Sequence, residues 1–362
     1  MTSIGELNRE FKNLLIDFSK KDLNDYNPYS NDGLNLTQIA EEFLDKYKKG
    51  LSDFSWVSAL NCNNKIRNVK TEKKNKFINS ANVNYGLPTH YRGDIENGYL
   101  YLCLFNPGSN GINDEYKKDV SIKEYYSNFK DDDDDKILIA EDSPEKIESY
   151  INGCESILTK ELKKFLQDFN KDQNKSEIKD DLGYYTYAYF LDIAKQAGYI
   201  KKDGKKYIPL FHCQKNKLTD RAGNSIEEIT NKIVNIDLFP FRSKSANTIV
   251  LDYDNKFSLF SAYIILHRIG KNIESDNDKK LAFCFRSYDT WRNVLIIALK
   301  KIIKDQKKKI TNEDIDENLD KLYFEYFYQF PGQAARISPN NLMRKIGKYK
   351  FDSIINLVEK NN

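Results

Sequence analysis

The sequence predicts an α/β protein with three layers: a central four-stranded parallel sheet, helices on both of its faces, and a large, mostly helical insertion after the first strand. Residues 99–105 are apolar on both alternating faces, which is typical of a strand buried within a parallel sheet. Similar short runs follow at 232–236, 281–285 and 322–328. Two apolar helical segments, 257–271 and 288–304, separate these last three strands, as parallel crossovers require.

The amino-terminal part, residues 1–80, is predicted to be a helical extension of an α/β domain that occupies residues 81–362. Residues 3–20 and 36–50 carry apolar side chains at helical spacing. Residues 61–80 are polar and basic, which is typical of a loop.

The longest interval between predicted strands, residues 109–230, is interpreted as an inserted helical region. Helical patterns occupy residues 144–168 and 184–198. Just after them, the sequence predicts a small hairpin that turns at Asp203-Gly204.

Composition and charge narrow the functional class. A net charge of +3, from 57 basic and 54 acidic residues, gives a weak overall field that does not by itself indicate a nucleic-acid binder. Five cysteines lie far apart without a C-x-x-C pair, which argues against a disulfide framework and against zinc or iron–sulfur sites. Cys103 and Cys284 lie in apolar runs and are expected in the core. No signal-peptide core or long apolar run is present, so a cytoplasmic location is expected.

The predicted site lies at the carboxyl ends of the strands, where open parallel sheets bind their ligands. Polar loops follow the four predicted strands, and they begin at Asn106, Asp237, Arg286 and Gln329. The sequence lacks the glycine motifs of dinucleotide and P-loop sites and the G-x-S-x-G turn of serine hydrolases. Of its three histidines, only His90 is retained as a site candidate, because His267 lies in an apolar helix. The site is therefore rich in amides, aromatic rings and arginines.

Such side chains suit the binding of a nucleobase that has been flipped out of DNA. Asparagine amides can pair with the Watson–Crick edge, aromatic rings can stack on the base, and arginines can bind phosphates. Hydrolysis of a glycosidic bond passes through an oxocarbenium-like state, so the attacking water need not be a strong nucleophile. An asparagine that orients this water is then sufficient.

The segment Leu104-Phe105-Asn106-Pro107-Gly108 resembles the first motif of the uracil-DNA-glycosylase superfamily in its Asn-Pro-Gly form. Residues 233–240 resemble the middle motif, and residues 330–341 fall where the superfamily has its second catalytic motif. The resemblance covers residues 85–108 and 231–342. The usual His-Pro-Ser of the last motif is absent, and Gln333, Arg336 and Ser338 lie in that region.

The resemblance implies a DNA glycosylase that works without metal or cofactor and leaves an abasic site. Asn106 would position the hydrolytic water, and Asn235 would pair with the base. Asp237 would be either a helper base or a turn residue. The expected base-binding residues are Phe105, Pro107, Gly108, Asn235 and Phe239. The expected DNA contacts are Arg242, Gln333, Arg336, Ser338 and Asn340.

One branch of this superfamily defends against phage by excising glucosylated hydroxymethylcytosine, and a large insertion would suit so large a base. Our hypothesis is that the chain is such a defence enzyme, with modified phage DNA as its partner. Two alternatives stay open. One is a catalytically inactive nucleic-acid-binding module of the same fold. The other is a metal-dependent nucleotide-processing enzyme or nuclease that uses Asp94, Asp237 and Asp289.

Overall fold

The protein is described by a computed structural model. The described residues are 6–30, 35–51, 87–107, 143–171, 182–204, 206–214, 217–221, 223, 225–241, 253–275, 281–330 and 337. None of the helices within these ranges combines the length and the apolar character needed to cross a bilayer. The predicted loop at 61–80 lies outside the described residues.

The described helices begin with α1 (Arg9–Ser19), α2 (Leu36–Lys49), α3 (Pro144–Ile151), α4 (Ile157–Lys171) and α5 (Leu191–Gln196). They continue with α6 (Glu227–Thr230), α7 (Lys256–Glu274), α8 (Tyr288–Asp305) and α9 (Asn312–Tyr326). A 3₁₀ turn spans Leu23–Tyr26, and a π-helical turn spans Thr186–Phe190. The helices predicted near 3–20, 36–50, 257–271 and 288–304 are thus confirmed.

The described strands are β1 (Tyr91–Arg92), β2 (Leu100–Leu104), β3 (Asn152–Gly153), β4 (Ile200–Asp203), β5 (Lys206–Pro209), β6 (His212–Gln214), β7 (Lys217–Thr219), β8 (Ile233–Asp237), β9 (Ala282–Phe285) and β10 (Phe327–Gln329). Six of them form one sheet in the order β10-β9-β2-β8-β1-β3. Strands β10, β9, β2 and β8 are parallel to one another, and β1 is antiparallel to β8. The central sheet is therefore mixed, with a parallel core, and the architecture of the protein is α/β.

The prediction of a four-stranded sheet was wrong in number. The four predicted strands are adjacent and parallel, but the two-residue strands β1 and β3 extend the sheet beyond β8. Each is too short for a periodic pattern in the sequence, because alternation needs at least four residues to be recognised.

The prediction of a strand at 322–328 was also largely wrong. Residues 322–326 form the end of α9, and only Phe327–Gln329 are extended. Thr311 and Asp314 form a capping box that starts this helix. The buried side chains of Ile315, Leu319, Leu322 and Tyr326 then follow at helical spacing, so burial favours the helix over the strand.

Each face of the sheet is covered by its own hydrophobic core. Side chains that include Tyr101, Val234 and Phe283 pack on one face against helices α1, α2, α3, α7, α8 and α9. Side chains that include Leu100, Ile233 and Cys284 pack on the other face against α4, α5 and the π-helical turn. We call this second helical group the insertion layer. A parallel sheet must be covered on both faces, and the insertion layer meets that need.

The prediction that residues 109–230 are mostly helical was incomplete. Besides helices, their described part contains the antiparallel pairs β4–β5 and β6–β7. The first pair is the predicted hairpin, and Gly204 at its turn has a φ of +58°, a conformation that glycine adopts readily. The second pair is too short for its alternation to be recognised in the sequence.

Helix α1 lies against α7 at a close approach of the two backbones. Gly270 of α7 faces the carbonyl oxygen of Leu15, and an added Cβ would overlap that oxygen and crowd Ser19. Because the obstacle is main chain, a rotamer change cannot relieve the overlap. Gly270 therefore sets how closely the amino-terminal helix packs on the domain.

We expect Gly270→Ala to lower the free energy of unfolding by about 1–3 kcal/mol, the usual effect of overpacking a core. Helix propensity alone would change it in the opposite direction, by about 1 kcal/mol in favour of alanine. The sign of the change in the free energy of unfolding therefore shows whether the added Cβ overlaps the Leu15 carbonyl oxygen. Urea denaturation of the two proteins measures it, and a more stable alanine variant would contradict the close approach.

Candidate functional site

The carboxyl ends of β2, β8 and β9 meet at one edge of the sheet. Sheet-like hydrogen bonds continue past the strand ends, with Leu238 N–H donating to the Leu104 carbonyl and Phe239 N–H to the Phe105 carbonyl, both at 3.0 Å. Arg286 N–H donates to the Cys103 carbonyl at 2.9 Å. These bonds fix the first residues of all three loops relative to one another.

Asn235 and Asp237 lie on the face of β8 that the insertion layer covers. Their strand neighbour Ile233 packs into that layer, and alternate residues of a strand share a face. Asn235 pairs in register with Leu102 of β2, and Asp237 pairs with Leu104, so Asp237 is roughly 7 Å nearer the sheet edge. The two residues are only 2 % and 3 % exposed.

The amide of Asn235 lacks hydrogen bonds within the described part of the chain: neither its Nδ2 nor its Oδ1 has a partner there. More than nine-tenths of buried polar groups in proteins are satisfied. Burying an amide without a partner costs about 1–3 kcal/mol. Asn152 in β3 has the same lack of partners. The position of Asn235, two residues before Asp237 near the carboxyl end of a parallel strand, is what makes a ligand the candidate partner for its amide.

Asn106 follows β2 and is half-buried at the edge of the sheet. Its Nδ2 donates to the Pro107 carbonyl at 2.9 Å and to the Phe241 carbonyl at 3.4 Å. These bonds fix the orientation of the amide, so Oδ1, which can only accept hydrogen bonds, is directed away from both carbonyls.

The structure places the predicted aromatic residues in the core near the site. Phe239 is fully buried on the sheet face opposite the insertion layer, and the half-buried Phe105 packs on it at 5.2 Å between ring centroids. Pro107 is buried beside Asn106. The remaining predicted residues lie outside the described part of the chain: Gly108, Arg242, Gln333, Arg336, Ser338 and Asn340.

Tyr184 and Tyr189 lie at the same edge and were missed by the sequence analysis, which named Arg286 as the start of a loop there but gave it no role. Arg286 Nη1 donates to the Tyr189 hydroxyl at 2.9 Å, and its guanidinium lies 6.0 Å from the centroid of the same ring. Burial raises the pKa of Tyr189 above its ordinary value, as do the nearby Tyr184 and Asp237, while Arg286 opposes them. The Tyr189 hydroxyl therefore keeps its proton, and Asp237 lies within its electrostatic reach.

Hydrogen bonds from the backbone to Glu161 hold these tyrosines at the edge. The carboxylate of Glu161 in α4 accepts hydrogen bonds from the N–H groups of Tyr185 and Thr186. Gly183 has a φ of +77°, and a Cβ there would overlap the Glu161 side chain. The π-helical turn follows directly, a rare form that is frequent at functional sites. The tyrosine-rich run at 184–189 was the available sequence signal.

His90 lies beneath the end of β8 and has no exposed surface. Its Nε2 is 2.8 Å from Ser261 Oγ, which donates its only proton to the Asp237 carbonyl at 2.8 Å. The imidazole is therefore the donor to Ser261. Burial lowers the pKa of His90 to about 3, so the ring is neutral and supports the strand from below.

The remaining predicted features are ordinary core residues. Cys103 and Cys284 are fully buried, as expected, and burial raises the pKa of both thiols. His267 is buried in α7 with Nε2 at 3.2 Å from the Lys21 carbonyl. Within the described ranges, His, Cys, Asp and Glu side chains form no group of three that could hold a metal ion.

Comparison with known proteins adds no relative: the chain matches no protein-family model, no curated protein and no solved structure.

Proposed function

We propose that the protein is a DNA glycosylase that flips a modified base out of DNA and hydrolyses its N-glycosidic bond. The observation that carries this proposal is the buried Asn235 amide, which lacks partners among the described residues and shares a strand face with Asp237. A planar heterocycle with donors and acceptors on one edge is a ligand of the chemistry that such a pair can satisfy. The motif resemblance at Asn106-Pro107 and at 233–240 points to the same reaction.

In this proposal the flipped base enters from the sheet edge and lies over the insertion-layer face of β8. Asn235 pairs with its polar edge, and the buried position rejects bases that leave the amide unsatisfied. Water is excluded there, so each hydrogen bond to the base discriminates more strongly than it would at the surface.

Asn106 orients the attacking water through its amide oxygen. Its Nδ2 is already committed to two carbonyl oxygens, so the amide need not reorganise when the substrate binds. Asp237 stands between Asn106 and Asn235 along the sheet. The bond between the sugar and the base breaks first, and the base leaves with the electron pair, so the sugar becomes oxocarbenium-like and is stabilised by the Asp237 carboxylate. The oriented water then bonds to the sugar carbon and gives its proton to Asp237, and the departed base takes up a proton before it is released.

The proposal is tested by incubating the purified protein, in a chelator, with uracil-containing DNA and with phage DNA that carries glucosylated hydroxymethylcytosine. Abasic sites are scored by alkaline cleavage. We expect cleavage of the phage DNA, and we expect Asn106→Ala to reduce its rate by about 10²-fold, because misplacing a reactant has an effect of that order. Asn97→Ala, in a turn at the opposite edge of the sheet, is the matched control and should keep the wild-type rate.

The outcomes separate the candidate functions. Cleavage of the uracil-containing DNA alone would support a glycosylase whose target base is uracil. Absence of cleavage in both DNAs, with retained DNA binding, would contradict the proposal and support an inactive binding module. Cleavage that requires added divalent metal would support the nuclease that uses Asp94, Asp237 and Asp289.

A further inference from the structure

We propose that Tyr184, presented by the insertion layer, is a stacking platform for the nucleobase next to the flipped one. The ligand class, a DNA strand, rests on the proposed function.

Tyr184 is 64 % exposed, although it lies beside the buried part of the site. Its ring centroid is 6.0 Å from that of Tyr189, and the two ring planes are nearly perpendicular at 84°. Tyr189 in turn contacts Arg286 and lies within electrostatic range of Asp237. The Tyr189 ring thus lies between the exposed Tyr184 and the Arg286 side chain at the carboxyl end of β9.

The exposed ring is held in place before any ligand arrives. Glu161 fixes the backbone of the next two residues, and Tyr185 packs on Tyr184 at 5.3 Å between ring centroids. An ordered aromatic ring loses little conformational entropy on binding, so more of its contact energy appears as affinity. Lone exposed aromatics are common on protein surfaces, and this one is distinguished by its contact with Tyr189, which is bonded to Arg286 at the carboxyl end of β9.

A nucleobase is the partner that fits this ring. Stacking on an aromatic side chain is available to every base and does not require a particular sequence. Arg286, through its bond to the Tyr189 hydroxyl, positions the second ring and places positive charge where the backbone between two nucleotides would run. Asn235 would then read the flipped base, while Tyr184 holds its neighbour.

The test measures binding of short single-stranded oligonucleotides that carry the target base, in an Asn106→Ala background so that the strand stays intact. One abasic spacer is placed at each neighbouring position in turn. We expect Tyr184→Ala to weaken binding of the unmodified strand roughly tenfold or more, and Tyr184→Phe to change it by less than about twofold. Phe324→Ala is the control, because Phe324 is 57 % exposed on α9, in the helical group across the sheet.

The spacer series decides the inference. If Tyr184 stacks on a base, one spacer position weakens binding to the same extent as Tyr184→Ala, and combining the two changes adds little. If the loss of affinity from Tyr184→Ala multiplies with the loss from the spacer at every spacer position, the platform is overturned. An equal loss in Tyr184→Phe would also overturn it, because the hydroxyl would then be the contact.

These results are distinguishable from those that test the proposed function. Excision by the wild-type protein without any coupling between Tyr184 and a spacer would refute the platform and leave the glycosylase standing. Coupling between Tyr184→Ala and a spacer, in a protein that never excises a base, would support the platform and refute the glycosylase. A protein that binds no DNA would refute both.

Discussion

Asn235→Leu should yield a protein that is more stable than the wild type and almost inactive. Leucine has the same number of side-chain heavy atoms as asparagine and the same branching at Cγ. It removes a buried amide that has no partner in the described structure, so the free energy of unfolding should rise by about 1–3 kcal/mol. The excision rate should fall by about 10³-fold or more, because a hydrogen-bonding site that loses its polar group no longer recognises its ligand.

Urea denaturation and the abasic-site assay measure the two effects on the same preparation. Leu102→Ile, a change at the neighbouring position of β2, is the control for altered packing and should leave excision within a few-fold of the wild type. A destabilised Asn235→Leu protein would show that the amide is satisfied in the unliganded molecule. The amide would then need no ligand to satisfy it.

The second large effect is a loss of stability in mild acid caused by His90. The unfolded histidine titrates near pH 6.5, whereas burial lowers the folded pKa to about 3. Between these values the unfolded chain binds a proton that the folded protein excludes. The free energy of unfolding is therefore unaffected by His90 above pH 6.5 and falls as the pH decreases through the window. The slope is about 1.4 kcal/mol per pH unit, or roughly 5 kcal/mol over the whole window.

His90→Phe should remove this slope, because phenylalanine can pack against Tyr29 and Phe260 without binding a proton. Denaturation curves between pH 7 and pH 5 avoid most of the carboxylate titration. Burial also lowers the pKa of His267, so the contribution of His90 is the difference in slope between the wild type and His90→Phe. His212→Gln is the control, since His212 is exposed on β6. Equal slopes in the wild type and in His90→Phe would mean that water reaches the imidazole in the folded state.

Elements that depend on a local pattern could be predicted from the amino-acid order. The buried strand at 99–105, the helices α7 and α8 and the hairpin at Asp203-Gly204 each carry a periodicity or a turn residue that is visible in a short window. The polar residues at the strand ends were visible for the same reason, and Asn106, Asn235 and Asp237 do end up near one edge. The end of α9 shows the limit of such predictions. Its apolar run at 322–328 fits the spacing of a strand and also that of a helix, and burial against the core favoured the helix.

Which side chains face one another depends on how distant parts of the chain pack together. Arg286 and Tyr189 are 97 residues apart, and only the fold of the insertion layer onto β9 brings them into contact. The lack of partners for the Asn235 amide among the described residues is likewise invisible in the sequence, because it depends on every neighbour that surrounds the amide. Hydrogen bonding and burial are properties of the packed environment. A sequence pattern can therefore indicate which residues belong to a site, whereas packing decides what each of them contacts.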